Sequence, residues 1–308
     1  MKEKIIKILK DFWDVLKRSA IRWDQANPWR QSAILAYYSI FSLPALILIL
    51  VMIAGYFLGE ESVSEEVNNQ VTELLGEDVA GMVDAMVANV AETGTSVFTI
   101  LIGLGFLIFG ATTIFYQLQL SLNLIWGVVP RPKQAFLKYL KDRLLSFGLV
   151  LSLGFLMLIS LLVNSLVSLL GSYIIALWPE VMAPFMAASN YVISLVIIST
   201  LFALMFKILP DAVIRWRSVY VGAFLTSLLF ALGQFGLSMY FRLFEPASIY
   251  GAAASIILLL IWTSYVAMII LFGAEFTKQW AIKFGHGIQP KESARLIDTE
   301  KDIVNLGE

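Results

Sequence analysis

Residues 252–274 read AAASIILLLIWTSYVAMIILFGA, 23 consecutive positions without Asp, Glu, Lys, Arg or His. At about 1.5 Å per residue an α-helix of that length reaches across the roughly 30 Å hydrocarbon core of a bilayer. Five more windows are equally free of charge: Ile34 to Leu58, Val97 to Tyr116, Leu144 to Leu170, Val181 to Phe206 and Val219 to Phe241. They are continuous apolar runs, whereas the strands of a membrane barrel alternate in polarity over about 10 residues. Composition agrees. The 308 residues are 59% hydrophobic and 15% charged, with a mean hydropathy of +0.80, against about 45–50% and about 25% in a soluble domain. The expected fold is an all-α integral membrane protein, a six-helix bundle with amphipathic interfacial helices.

The net charge of -1 conceals an uneven distribution. Basic residues in short loops stay on the cytoplasmic side. Segment 1–33 carries 8 of them, 117–143 carries 5, 207–218 carries 3 and the C-terminal tail 5, while the alternate loops hold a single base, Arg242. The split of 21 against 1 places both termini in the cytoplasm of a bacterial inner membrane and fits an even number of spans. The N-terminal 33 residues lack the uninterrupted apolar stretch of a cleaved signal peptide.

Three parts follow: an amphipathic cytoplasmic helix in 1–33, a membrane domain over 34–280 and a cytoplasmic tail over 281–308. In the first, Ile5, Ile8, Leu9, Phe12, Trp13, Leu16 and Ile21 recur at helical spacing between lysines, the pattern of a helix lying on the inner membrane surface. Loop 59–96 carries nine acids and no base, and its apolar spacing predicts one or two helices broken near Gly76 on the outer face. After Gly127, Pro130 and Pro132, a turn is expected, with span two running on to Trp126 and a short basic amphipathic helix following up to residue 143. The expected partners are membrane lipids, with anionic inner-leaflet lipid at the N-terminal helix and at 131–143, each base contributing about 1 kcal/mol. Nucleic acid is not expected, and self-association into a homo-oligomer is left open.

Catalytic chemistry finds few materials. With no cysteine and one histidine, His286, the chain offers no ligand cluster for zinc and no serine triad, and neither GxGxxG nor GxxxxGK[ST] occurs. The expectation is a non-enzyme without metal or cofactor. Polar residues within the spans are better leads, because such groups tend to face a protein interior or a water-filled path. Tyr37, Tyr38 and Ser42 precede Pro44, which removes a helical hydrogen bond and either opens a path or makes a packed kink. Gln117, Asn164 and Gln234 interrupt spans two, three and five and serve equally as interhelical glue. Glu275, at the inner end of span six, has Lys278 three residues on as a simple partner. Arg242 suits a bidentate phosphate or carboxylate, or a structural ion pair. These nine residues form the expected substrate path. Gly222, Gly233, Gly236, Gly251, Ala252, Ala254 and Ser255 instead suggest close helix packing.

AILAYYSIFSLPALILIL (33–50) and IYGAAASIILLLIWTSYVAMIILFGAEFT (249–277) resemble the YihY/BrkB family of bacterial inner-membrane proteins over about residues 20–280. Its Ala-Tyr-Tyr, Phe-Ser-x-x-Pro pattern matches Ala36, Tyr37, Tyr38, Phe41, Ser42 and Pro44; its Tyr-Gly and closing Phe-Gly-Ala-Glu match Tyr250, Gly251, Phe272, Gly273, Ala274 and Glu275. Some members carry a ribonuclease label, for which the residues above supply no metal ligands. Others are linked to virulence, serum resistance or export of envelope precursors. The resemblance therefore implies transport; with the proline-broken first span and its hydroxyl cluster, the isolated Arg242 and amphipathic helices on both faces, the expectation is a transporter, flippase-like, of an amphipathic or lipid-linked envelope solute. An ion-coupled carrier or channel for small solutes and a non-transporting envelope scaffold are the alternatives.

Overall fold

In the computed structural model the described residues are 2–42, 97–131, 179–244, 254–285 and 287–297, with isolated helical positions at 81, 144, 145, 148 and 152. The first expected span beyond residue 42, most of the third, loop 59–96 apart from residue 81, and the helix expected after residue 131 lie outside them, as do Pro44, Asn164 and Gly251.

The chain begins with α1 (Lys2–Gln25). Ala26 N–H donates to the Arg22 and Trp23 carbonyls, and Asn27 turns the backbone with φ 50°, a region that asparagine tolerates better than most residues. Pro28 then opens α2 (28–42), where its missing amide hydrogen is no loss. Helix α3 (Val97–Trp126) ends at Gly127, φ 71°, as the glycine after span two predicts. Helices α4 (Pro179–Ile208), α5 (Trp216–Phe244) and α6 (Ala254–Phe284) follow.

Stretches long and apolar enough to cross a bilayer occupy Ile108–Trp126, Tyr191–Ile208, Trp216–Leu237 and Ile256–Phe284. Helices α3 to α6 have 29 to 31 residues each. At about 1.5 Å per residue they exceed the roughly 30 Å core. The largest fully buried side chains gather where the C-terminal ends of α3 and α4 meet the start of α5. Leu122, Trp126, Phe206, Val219 and Ala274 are buried together, and edge-on ring contacts link Trp126 to Phe206 at 6.2 Å, Phe202 to Phe230 at 5.9 Å and Phe230 to Trp262 at 6.4 Å.

The C-terminal tail closes this end. Strand β4 (Ala294–Leu296) pairs antiparallel with β1 (Val128–Pro130), directly after α3, and β3 (Gln289–Pro290) pairs with β2 (Ala212–Val213), between α4 and α5. Arg131 N–H to Ser293 carbonyl (2.7 Å) and Ile297 N–H to Gly127 carbonyl (2.9 Å) extend the first pairing. Strands this short have no alternation to read, which is why the tail read only as charged.

Helix α1 lies against α6. Phe12 meets Phe276 and Trp280 with ring centroids 5.7 and 6.4 Å apart, Trp23 meets Phe272 at 5.9 Å, and Lys283 Nζ lies 2.9 Å from carboxylate oxygens of both Asp11 and Asp14. Rising numbers on one helix meet falling numbers on the other, so the two run antiparallel. The stripe Phe12, Val15, Ser19, Trp23 is turned towards α6, and Ile6, Leu9, Trp13 and Ile21 stay exposed on the other side. The helix expected to lie on the membrane surface thus has two apolar faces, one of them spent on α6.

Lys283, and secondarily Arg18, hold the Asp14 carboxyl below its usual value. A carboxyl with a depressed folded-state pKa stabilises the α1–α6 contact above its unfolded value of about 3.9, and that contribution is lost as pH falls through the folded value. Spin-label distances between α1 and α6 should therefore broaden on acidification below about pH 4, and Asp14→Asn should remove that part of the pH dependence. A profile unchanged by Asp14→Asn refutes it.

Candidate functional site: a polar latch and an apolar cavity

Towards its C-terminal end α3 carries Gln119, Ser121 and Asn123, all buried. Asn123 faces Asp211, a buried acid in the loop after α4. The Asn123 Nδ2 donates to the Asp211 carboxylate at 3.0 Å, the Asp211 N–H donates to Asn123 Oδ1 at 2.8 Å, and Gln119 Nε2 stands 3.5 Å from the same carboxylate. The Asp211 carbonyl accepts the Lys291 N–H at 2.9 Å, joining the tail to the latch. Ser121 donates to Gln31 Oε1 at 2.9 Å, which ties α2 to α3.

Helices α3 and α6 exchange bonds as well. Trp126 Nε1 donates to the Ala274 carbonyl at 3.1 Å, and Lys278 Nζ donates to the Ile125 carbonyl at 2.6 Å, satisfying an acceptor that the end of α3 leaves free. Glu275, buried, accepts from Gln279 at 2.7 Å, and Lys278, the partner expected for it, stays within its electrostatic reach while donating one N–H to α3.

Between α5 and α6 the packing is reciprocal. Thr226 lies one turn after Gly222 and Thr277 one turn after Gly273, each hydroxyl bonded at 2.7 Å to the carbonyl of its own glycine. Each threonine also fills the space beside the other helix's glycine: a Cβ on Gly222 would come within 1.7 Å of Thr277 Oγ1, and one on Gly273 within 1.9 Å of Thr226 Oγ1. Further along, Gly233 packs against Tyr265, whose hydroxyl would lie 1.6 Å from an added Cβ.

Beside Gly233 the contact opens. A cavity of about 680 Å³ is lined by Leu229, Leu232, Gly236 and Leu237 of α5, by Tyr265, Met268 and Phe272 of α6, and by Trp23 and Trp29 on either side of the α1–α2 turn. A Cβ on Gly236 would meet nothing within 4 Å. The volume falls within the range of about 300–1,000 Å³ typical of small-molecule sites, and the walls are almost wholly apolar. From Phe272 to Tyr265 the groove runs about 10 Å along α6 at the helical rise. Among the described residues no three His, Asp or Glu side chains converge to hold a metal ion.

The model of the family described as virulence factor BrkB matches residues 21–295. The chain belongs to the BrkB family. Similar proteins include a "UPF0761 membrane protein" of Pseudoalteromonas atlantica, 27% identical over 86% of this chain and 85% of its own, and one of Aliivibrio salmonicida, 26% identical over 88% and 84%. A third, from Coxiella burnetii, is 27% identical over 78% and 83%. No solved structure matches.

The residues that carry the BrkB resemblance divide between faces. Ala36, Ser39 and Ser42 lie on the buried side of α2, whereas Tyr37 and Phe41 are exposed, with Tyr37 edge-on to Tyr38 at 5.4 Å and to Phe41 at 5.6 Å. Ser42 Oγ is buried without a hydrogen-bond partner. Gln117 and Gln234 are half-buried, and Gln234 follows Gly233 at the cavity. Position 242 is helical within α5, with its side chain outside the described residues. Tyr37, Ser42 and Glu275 are thus distributed over α2 and α6 and not gathered on the cavity wall, which Trp23, Trp29 and Gly236 form instead. Trp23 and Trp29 carried a usable signal, aromatic residues flanking the helix break at Asn27. Asp211 carried none, being one acid in a short loop.

Proposed function

We propose that this BrkB-family membrane protein is a multi-pass inner-membrane transporter, flippase-like, that moves an amphipathic or lipid-linked envelope solute, with both termini cytoplasmic and without enzymatic chemistry or a cofactor. The cavity between α5 and α6 carries this reading: an apolar space of about 680 Å³, beside two tryptophans of the kind enriched at membrane interfaces, suits the apolar part of such a solute. The orientation rests on the distribution of bases. Helix α1, the loops after α3 and α4, and the tail meet at one end of the bundle, and these are the segments rich in Lys and Arg. The exposed Ile6, Leu9 and Trp13 alternate with Lys7 and Lys10, which supports contact with anionic inner-leaflet lipid.

Reconstitution into liposomes containing a fluorescent phospholipid, with dithionite added outside, tests transport. The expected result is probe loss beyond the outer-leaflet fraction, slowed severalfold by Gly236→Trp, because that side chain fills the cavity from a position with free space. Rates equal to empty vesicles would sink the reading. An ion-coupled carrier is the second reading, favoured by polar residues buried within the helices, Gln31, Ser39 and Ser42 on α2 and Thr112 on α3. Currents on solid-supported membranes under a Na⁺ or proton gradient, without lipid movement, would select it.

A further inference from the structure

We propose that the α5–α6 cavity takes the acyl chain of an anionic phospholipid arriving sideways from the inner leaflet, with the phosphate held at Arg22, Arg30 and the indole N–H of Trp23. The proposal deepens the transport reading and rests on its placing this end of the bundle at the inner leaflet.

The cavity walls offer polar atoms only on Trp23, Trp29 and Tyr265, so the part of a ligand that enters must be apolar. On α5 the groove borders the outer surface of the bundle, where Leu232 is 69% exposed and Gly236 is exposed beside it. An acyl chain can therefore enter from lipid without passing through the bundle. At the α1–α2 turn, Trp23 Nε1 is buried without an acceptor. A buried N–H is ordinarily bonded, and a ligand oxygen would satisfy this one once the indole turns its N–H into the cavity that its ring lines. Arg22 and Arg30 are exposed and adjoin the two cavity tryptophans in the chain, with Lys17 on the same stretch, Asp24 the acid between them and the buried Glu275 of α6 within electrostatic reach of Arg22. The local excess is positive, and a guanidinium pairs with phosphate through two parallel hydrogen bonds. A zwitterionic head group would add an ammonium to this positive surface and gain less.

Native mass spectrometry of the full-length protein in detergent, with phosphatidylglycerol and phosphatidylcholine of identical acyl chains added in equal amounts, separates the two parts of the proposal. Wild type should retain phosphatidylglycerol preferentially. Arg22→Gln and Arg30→Gln should each reduce that preference roughly fivefold, the factor expected of one base near an anionic surface. Trp23→Phe, which keeps the ring against Phe272 and removes the donor, should weaken retention of both lipids. Gly236→Trp should abolish retention of both, with melting and helical circular dichroism as in wild type. Equal retention of the two lipids by wild type, a preference untouched by the arginine substitutions, or full retention by Gly236→Trp would overturn it. Selective binding without scrambling would sink the transport reading and leave this one standing; scrambling without selective binding would do the reverse.

Discussion

Asn123→Leu should destabilise the protein by about 3–5 kcal/mol, the sum of a hydrogen bond to a buried charge and of a backbone N–H left without its acceptor. The leucine keeps the branching and the number of heavy atoms, so the main loss is polar: the Asp211 carboxylate and amide both lose a partner within a buried site. Asp211 in turn positions the Lys291 amide, so the damage should spread to the β2–β3 pairing and the tail. Melting in detergent should fall, and exchange of the Lys291 amide hydrogen should accelerate. Asp211→Asn is the informative companion: it keeps an acceptor for Asn123 while removing the charge, and should be much milder. If Asn123→Leu melts within the error of wild type, the latch contributes nothing and the assignment is wrong.

Gly222→Leu is the second large effect, about 3 kcal/mol and at the upper end of overpacking penalties. Replacing a mid-helix glycine by a better helix former ordinarily gains up to about 1 kcal/mol. Here the sign reverses, because the added Cβ would lie 1.7 Å from Thr277 Oγ1 and 3.2 Å from the Thr277 Cα. A hydroxyl can rotate away; a backbone atom moves only if α5 and α6 part. Even Gly222→Ala should destabilise, and Thr277→Gly in the same chain should recover part of the loss. Gly105→Ala, where a Cβ meets nothing within 4 Å, should be neutral or stabilising. Equal behaviour of Gly222→Ala and Gly105→Ala in thermal melting would refute the close approach.

Much of the fold is legible along the chain. Runs without charge locate the ends of the helices at Val97, Pro179, Phe244 and Ala254 to within three residues, Gly127 marks the end of α3, and α6 runs on ten residues past the uncharged window that closes at Ala274. The amphipathic spacing of residues 5–23 announces α1, and its surplus of apolar positions is explained by two faces with different neighbours. The glycines suspected of packing part ways: Gly222 and Gly233 sit against side chains, and Gly236 faces open space. The roles of Thr226 and Thr277 are not legible in the sequence, because nothing in either helix alone says which residues of the other they meet.

Membrane residence and helical form follow from the sequence itself. In hydrocarbon every peptide group must bond within its own segment, so a long apolar run admits one solution whatever its neighbours are. Membership of the BrkB family is equally a property of the sequence. Which polar residues meet is not. Each residue advances about 100° around a helix, and a rotation by one position would carry Asn123 away from Asp211 or put Gly222 beside a different side chain. The latch, the reciprocal Gly–Thr contacts, the tail strands and the cavity depend on rotation and register between segments distant in the chain. Tertiary packing alone decides those.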